Sequence, residues 1–449
     1  MGNFLNSQQY RDTLNYLLDA FVDAKEYGSI LQIKPLNYEG LKEAWETSAA
    51  ATAHDANMAM WYDAAKDAVA QLIEQAVMLS QKYDAVVTNP PYMGSSGMGA
   101  NLTNFVKKYY PDSKSDLFAV FIEVCSHMAA EKRYQAMITQ HAWMFLSSYE
   151  KLREKMLLTE TVNMAHLGAR AFEEIGGEVV QTTSFVRCRT HIDGYKGTYC
   201  RLIEPTSQQG KEDMFLSSEN RYFANQDNFA KIPGSPVAYW VSEKIINAFC
   251  GTPISCYAES NGQNITGNNN KFLRLFWEVD GHNIGKEYWA KCARGGGYRK
   301  YHGNDDNVIL WTSEARAHYK KDSIARIVPE YLRFKDGITW SYITSGVPSF
   351  RRLWPDELFE KAGTSIFIRN VKNINPLLGL LNSVVARKLL GLLNPTINYQ
   401  VRDIFSVPVE KSVLSANNIS DLVDQNISVE KDDWDAFETS WDFKRHPLV

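Results

Sequence analysis

A chain of 449 residues exceeds what a single hydrophobic core ordinarily serves, so two or three domains are expected. Hydrophobic residues make up 45% and charged residues 22%, the content of a soluble globular protein, and the net charge of −4 argues neither for nor against nucleic acid until it is divided by region. No apolar run is long enough to cross a bilayer, and the six cysteines (Cys125, Cys188, Cys200, Cys250, Cys256, Cys292) lack the close pairing of a zinc site or disulfide framework, so a reducing cytoplasm is the expected compartment.

The chain opens without a basic start and apolar core of the leader type. Residues from Gln8 to about Leu79 are helical in character: Leu14, Leu17, Leu18 and Phe21 recur at helical spacing, and an Ala-rich stretch runs from Trp61 to Val77. Next comes Tyr83-Asp84-Ala85-Val86-Val87-Thr88-Asn89-Pro90-Pro91-Tyr92, a β-branched run stopped by two prolines. It predicts a buried strand that presents Asn89 at its carboxyl edge, where open α/β sheets place their chemistry. Asn89 brings a side-chain carbonyl, Pro90 a backbone carbonyl with no competing N–H, and Tyr92 an aromatic face. Two acceptors beside a ring suit a planar amine.

This stretch closely resembles the Asn-Pro-Pro-Tyr motif of amino-group DNA methyltransferases, in particular the adenine-specific class. The resemblance implies that Asn89 and Pro90 accept hydrogen bonds from the exocyclic amine of an adenine flipped out of duplex DNA, that Pro91 shapes the turn and that Tyr92 stacks on the base. It also implies S-adenosylmethionine as methyl donor. Such enzymes carry a glycine-rich cofactor turn ahead of this motif, and none stands upstream of Asn89. The glycine clusters Gly94-Ser95-Ser96-Gly97-Met98-Gly99 and Gly295-Gly296-Gly297 both follow it. The expectation is therefore a chain that starts partway through a catalytic domain and relies on an upstream chain for cofactor binding.

Beyond the motif, Asn101 to Tyr110 reads as a polar, aromatic loop lying over the site. Asp116 opens a helix through Glu123, and Tyr134 to Gln140 is a short strand, so that strand, motif, helix and strand form a βαβ unit. By the resemblance, Phe121 matches the aromatic that lines the cofactor's adenine, with a core role as the alternative. Thr161–Leu167 and Val179–Arg187 read as further strands. Between them, Phe172 matches the family's second base-stacking aromatic, or else a core residue. His54, His127, His141 and His166 are scattered without ligand spacing, so no metal is expected.

Pro205 to Pro236 is rich in Ser, Gln, Asn and Gly and reads as a linker, followed by a helix over Trp240–Phe249. From Asn264 onward, aromatics interleave with Arg, Lys, Asn and Gly. Between Lys271 and Val409, 21 basic residues face 13 acidic ones, an excess of +8 that leaves −12 for the remainder. A basic lobe attached to an acidic remainder suits a DNA backbone, with Lys271, Arg274, Arg299, Lys300, Arg351 and Arg352 as candidate contacts; a solvated basic face is the alternative.

In order and composition these segments, with Leu377–Ser383, Leu393–Val401 and Trp434–Phe443, resemble the target-recognition lobe of PglX-type adenine-specific methyltransferases of BREX phage-defence systems. A more distant similarity is to fused restriction-modification enzymes. The expected architecture is α/β, an incomplete Rossmann-like methyltransferase domain followed by an α+β target-recognition domain. The expected parts are a helical segment over 1–80, a partial catalytic domain over 81–205, a linker and helix over 206–262, a DNA-binding domain over 263–410 and an acidic segment over 411–449. The resemblance implies a site-specific DNA adenine methyltransferase in truncated or split form. A non-catalytic DNA-recognition subunit or scaffold of a defence complex is the alternative. Double-stranded DNA and other defence proteins are the expected partners.

Overall fold

The computed structural model describes residues 5–52, 56–172, 180–394 and 396–448. It divides into two compact units, Met1–Ala230 and Lys231–Val449, a boundary inside the stretch read as linker and connecting helix.

The first unit begins with helices α1 (Gln8–Ala20), α2 (Ala24–Tyr27), α3 (Tyr38–Thr52) and α4 (Ala56–Ser80). Leu14 and Leu17 of α1 meet Leu41 and Trp45 of α3 and Val69 and Ile73 of α4 in one buried cluster, as the spacing of apolar residues requires. From α4 the chain runs directly into a six-stranded sheet. Its strands are β1 (Tyr83–Thr88), β2 (Ala129–Gln140), β3 (Glu160–Gly168), β4 (Thr182–Cys188), β5 (Gly197–Arg201) and β6 (Arg221–Ala224), in the spatial order β1-β2-β4-β3-β5-β6. Helices α5 (Ala100–Tyr109), α6 (Leu117–Met128), α7 (Glu150–Met156) and α8 (Gln208–Leu216) join them.

β1 and β2 are parallel around α6, the expected βαβ unit. β4 is antiparallel to both β2 and β3. It follows that β1, β2 and β3 all point the same way, and the residues after them, Asn89, His141 and the loop to Phe172, share one edge of the sheet.

The expected buried strand is corrected here. β1 lies at the edge of the sheet, and only the face toward α6 is covered. Residues alternate between faces, so Val86, Thr88, Gln135 and Met137 lie on one side and Ala85, Val87, Ala136 and Ile138 on the other. On that second side none of the four is buried, and Val87 stands 75% exposed. A β-branched run thus builds a strand whose outer edge and one face are unpartnered among the described residues. The segment read as an overlying loop, Asn101–Tyr110, is instead mostly the helix α5, because Leu102, Phe105, Val106 and Tyr109 recur at helical spacing and Val106 is buried. Part of the loop between β3 and β4, residues 173–179, lies outside the described residues, as do His54 and Pro395.

The second unit carries strands β7 (Thr252–Pro253), β8 (Ala258–Glu259), β9 (Leu273–Leu275), β10 (Trp289–Ala293), β11 (Asn307–Leu310), β12 (Gly337–Ser341), β13 (Phe350–Leu353), β14 (Glu357–Phe359), β15 (Gly363–Ile368) and β16 (Pro408–Val409). They form two four-stranded sheets, β14-β10-β11-β9 and β13-β12-β15-β8, and a β16-β7 pair. Trp340, Phe350 and Ile366 pack on the apolar faces of helices Ile374–Leu381 and Val384–Leu393. Between those helices, the Asn382 amide both donates to and accepts from the Phe350 backbone, at 2.9 and 3.0 Å. This helix pair is apolar enough in sum for a membrane but bends by 78°, and no single described helix is long and apolar enough to cross one.

Candidate amine-binding site and recognition surface

Asn89 follows the last residue of β1, and Pro90 prevents the strand from continuing. The Asn89 side chain is exposed and makes no hydrogen bond among the described residues, whereas Pro90 is buried beneath it. An amide with both its oxygen and nitrogen free costs little in water, and its carbonyl is presented to an incoming donor.

The turn after the prolines is held from α6. Asp116 caps that helix by accepting from Phe118 N at 3.3 Å, and the same Oδ1 accepts from Met93 N at 3.0 Å. Leu117 N donates back to Met93 O at 3.0 Å, which locks the loop onto the first turn of α6. Burial pushes the Asp116 carboxyl up, and the three backbone N–H groups it faces pull it back. Deeper in the loop, Ser113 donates to Glu123 at 2.6 Å, and Lys155 of α7 bridges Glu123 and Asp112 at 2.7 and 2.8 Å.

Tyr92 is half-buried. Its ring stands edge-on to Phe118, with centroids 6.1 Å apart and planes at 82°, and Phe118 in turn leans on Tyr149. The Tyr92 hydroxyl is buried with no hydrogen-bond partner among the described residues, and burial pushes its pKa up to about 12. What Tyr92 offers a ligand is therefore ring surface and not a proton.

Phe121 lies one helical turn beyond Phe118, half-buried against the cluster that contains Ile30, Met98 and Val106. Phe172 is half-buried at the same sheet edge as Asn89. That edge also holds a pair that sequence spacing did not suggest. His141, just past β2, and His166, near the end of β3, lie with Nδ1 and Nε2 2.9 Å apart and share one hydrogen bond. Burial lowers their pKa values to about 4 and about 3, so both rings are neutral at pH 7. The two residues are 25 apart in the chain, and only the pairing of β3 with β4 and of β4 with β2 brings them together. No cluster of three or more metal-ligating side chains occurs among the described residues.

In the second unit the six candidate cations differ sharply. Lys271 is exposed over the Phe272 ring, and Arg274 is half-buried with its guanidinium on the backbone oxygen of Leu273 at 2.7 Å. Arg299 pairs with Asp433 and covers Trp434; Lys300 donates to Asn382 O at 2.9 Å. Arg352 holds Asp336 at 3.1 Å, and Arg351 is 1% exposed, donating to Arg294 O. Arg351 thus serves the interior of the unit and presents nothing to a surface ligand. The loop that carries Gly295, Gly296 and Gly297 is tied down, since Gly296 N donates to the Ser341 hydroxyl and Asn304 donates to Gly297 O.

This sheet carries an Asn-Pro-Pro-Tyr turn at its carboxyl edge, and residues 13–169 match the family model described as Eco57I restriction-modification methylase. The chain is homologous to curated adenine-specific methyltransferases. It is 40% identical over 408 residues to PglX of Lacticaseibacillus casei (strain Zhang), covering 84% of this chain and 33% of that protein. To BrxX of Escherichia coli O9:H4 (strain HS) it is 36% identical over 457 residues, covering 99% of this chain and 37% of that protein. It spans about a third of the length of these relatives. Among solved structures, the type IIL restriction-modification enzyme MmeI in complex with DNA aligns at 12% identity over 99% of this chain and 76% of that one, with a TM-score of 0.49.

Proposed function

We propose that this chain is the base-gripping and target-recognising part of a site-specific DNA adenine methyltransferase of the PglX type, acting in the cytoplasm in phage defence. The observation that carries the reading is the unbonded, exposed amide of Asn89 at the carboxyl edge of β1, beside the buried Pro90 and a Tyr92 ring whose turn is fixed by Asp116. The adenine amine is a weak nucleophile because its lone pair is delocalised into the ring. Asn89 Oδ1 and the Pro90 carbonyl accept its two N–H bonds and draw the nitrogen toward tetrahedral geometry, so the lone pair becomes available. Tyr92, with Phe172 on the other side, offsets the few kcal/mol that leaving the duplex stack costs.

S-adenosylmethionine supplies the electrophilic methyl group in this reading. Phe121 offers one aromatic wall for it, while among the described residues the outer edge of β1 and the face carrying Val87 are unpartnered. The missing walls come from strands that precede β1 in an upstream polypeptide and pair with its free edge. In the second unit, Lys271 is the exposed candidate cation for DNA phosphates, with Arg274 half-buried close by in the chain.

The test is methyl transfer to duplex DNA by the chain complemented with such an upstream segment. Asn89→Ala should cost at least about 100-fold in transfer, as loss of a group that acts on the reacting atom does, while DNA affinity stays within about twofold. Unchanged transfer by Asn89→Ala would overturn the reading. The incomplete sheet also favours a second reading, a DNA-binding scaffold without catalysis, for which salt-dependent DNA binding would persist with no transfer in any complemented form.

A further inference from the structure

Away from Asn89, the first unit contains a cavity of about 800 Å³ between the segment after α1 and helix α5, to which the amine-binding residues contribute nothing. Its walls are aromatic. Tyr27 and Phe105 stack with centroids 4.2 Å apart and planes at 18°, and Tyr109 leans on Phe105 at 4.7 Å. Two cations complete the lining, each held over a ring: Lys34 lies 5.1 Å from the centroid of Tyr16, and Lys108 lies 4.9 Å from that of Tyr109. Neither ammonium forms an ion pair among the described residues. An ammonium over a ring keeps its full charge for a ligand, because a π face neutralises nothing.

The walls are fixed before any ligand arrives. Tyr110 donates to Ile30 O at 2.7 Å and Lys34 N donates to the Tyr16 hydroxyl at 3.0 Å, tying α5 and the strand-like segment 31–34 to their neighbours. The side-chain amide of Asn104, exposed in the lining, makes no hydrogen bond among the described residues, and Asp19 is the carboxylate of the lining.

We infer that this cavity is a nucleotide site, distinct from the amine-binding notch. The combination selects the ligand class. The exposed ring of Tyr109, beside the half-buried Tyr27 and Phe105, takes a planar heterocycle, two unpaired ammonium groups take a phosphate, and a free amide reads a base edge that both donates and accepts. An acidic peptide would leave the rings unused, and an apolar molecule would strand both lysines. Asp19 accepts from a sugar hydroxyl or an exocyclic amine and disfavours a dense polyanion. A free mononucleotide and one nucleotide of a single strand share this chemistry.

Isothermal titration of the 449-residue chain with deoxyadenosine monophosphate, and separately with a single-stranded deoxyadenosine hexanucleotide, tests the inference. At least one probe should bind, and the double substitution Lys34→Ala with Lys108→Ala should weaken it about tenfold or more. Both lysines are exposed, so the melting temperature of the double variant should stay at the wild-type value. Asn89→Ala should leave this binding unchanged, which separates the site from the methyl-transfer reading. Binding of the mononucleotide identifies a free-nucleotide pocket; binding of the hexanucleotide alone identifies a strand contact; either supports the site. Failure of both probes at about millimolar concentration, or equal binding by the double variant, overturns it.

Discussion

At the scale of single residues, the site divides groups that meet a ligand from groups that hold the fold. The Tyr92 hydroxyl is buried without a partner, so Tyr92→Phe removes an unsatisfied group and leaves the ring in place. Its stability should equal or slightly exceed that of the wild type, and transfer by the complemented enzyme should persist. Tyr92→Ala should lose about 1–3 kcal/mol of base stacking, read as weakened binding of DNA carrying an unpaired target adenine. Equal losses in Phe and Ala variants would show that the hydroxyl, and not the ring, does the work. Among the cations, Lys271→Ala should lower DNA affinity on all sequences and reduce the salt slope by about one. Arg351→Ala should instead destabilise the chain by about 2–5 kcal/mol, since it empties a buried site and takes a donor from the Arg294 carbonyl. Chemical denaturation distinguishes the two.

At the scale of elements, β1, β2 and β3 bring Asn89, His141 and His166 to one sheet edge. The two histidines are held below their ordinary value of 6.5 by burial; His166 also feels His141, Arg201 and Lys211. A histidine whose folded pKa lies below its unfolded one binds its proton less readily when folded. Its contribution is therefore whole above about pH 6.5 and is lost as the pH falls from there toward the folded values. The melting temperature should drop between about pH 7 and pH 5, and His166→Gln should flatten that drop. An identical slope in the variant would contradict the assignment. This pair also shows where reading the chain stopped. The β-branched run, the double proline, and Asp116 ahead of an apolar helix were each legible, because their signals are local. The His141–His166 contact was not, since it depends on β4 lying between β2 and β3, and that order is a property of the sheet. Helix α5 was hidden by the polar residues Asn101, Asn104, Lys107 and Lys108 on its exposed side, and the burial of Arg351 by its likeness to a surface cation.

At the scale of the whole molecule, composition divides the sequence into an acidic part and a basic part, and the chain folds into two compact units, Met1–Ala230 and Lys231–Val449. What composition did not reveal is the exposure of the first strand: β1 lies at the sheet edge with Val87 75% exposed and its outer edge unpartnered among the described residues. A β-branched strand exposed in this way is a docking edge for further strands. The central claim is that the amine-gripping notch is whole in this chain while the cofactor pocket is not. Its most direct measurement is the affinity for S-adenosylmethionine, by equilibrium titration, of the 449-residue chain alone and together with the segment that precedes its equivalent in the PglX relatives. The account predicts binding no tighter than about millimolar for the chain alone and a gain of at least about 100-fold on complementation; tight cofactor binding by the chain alone would contradict it.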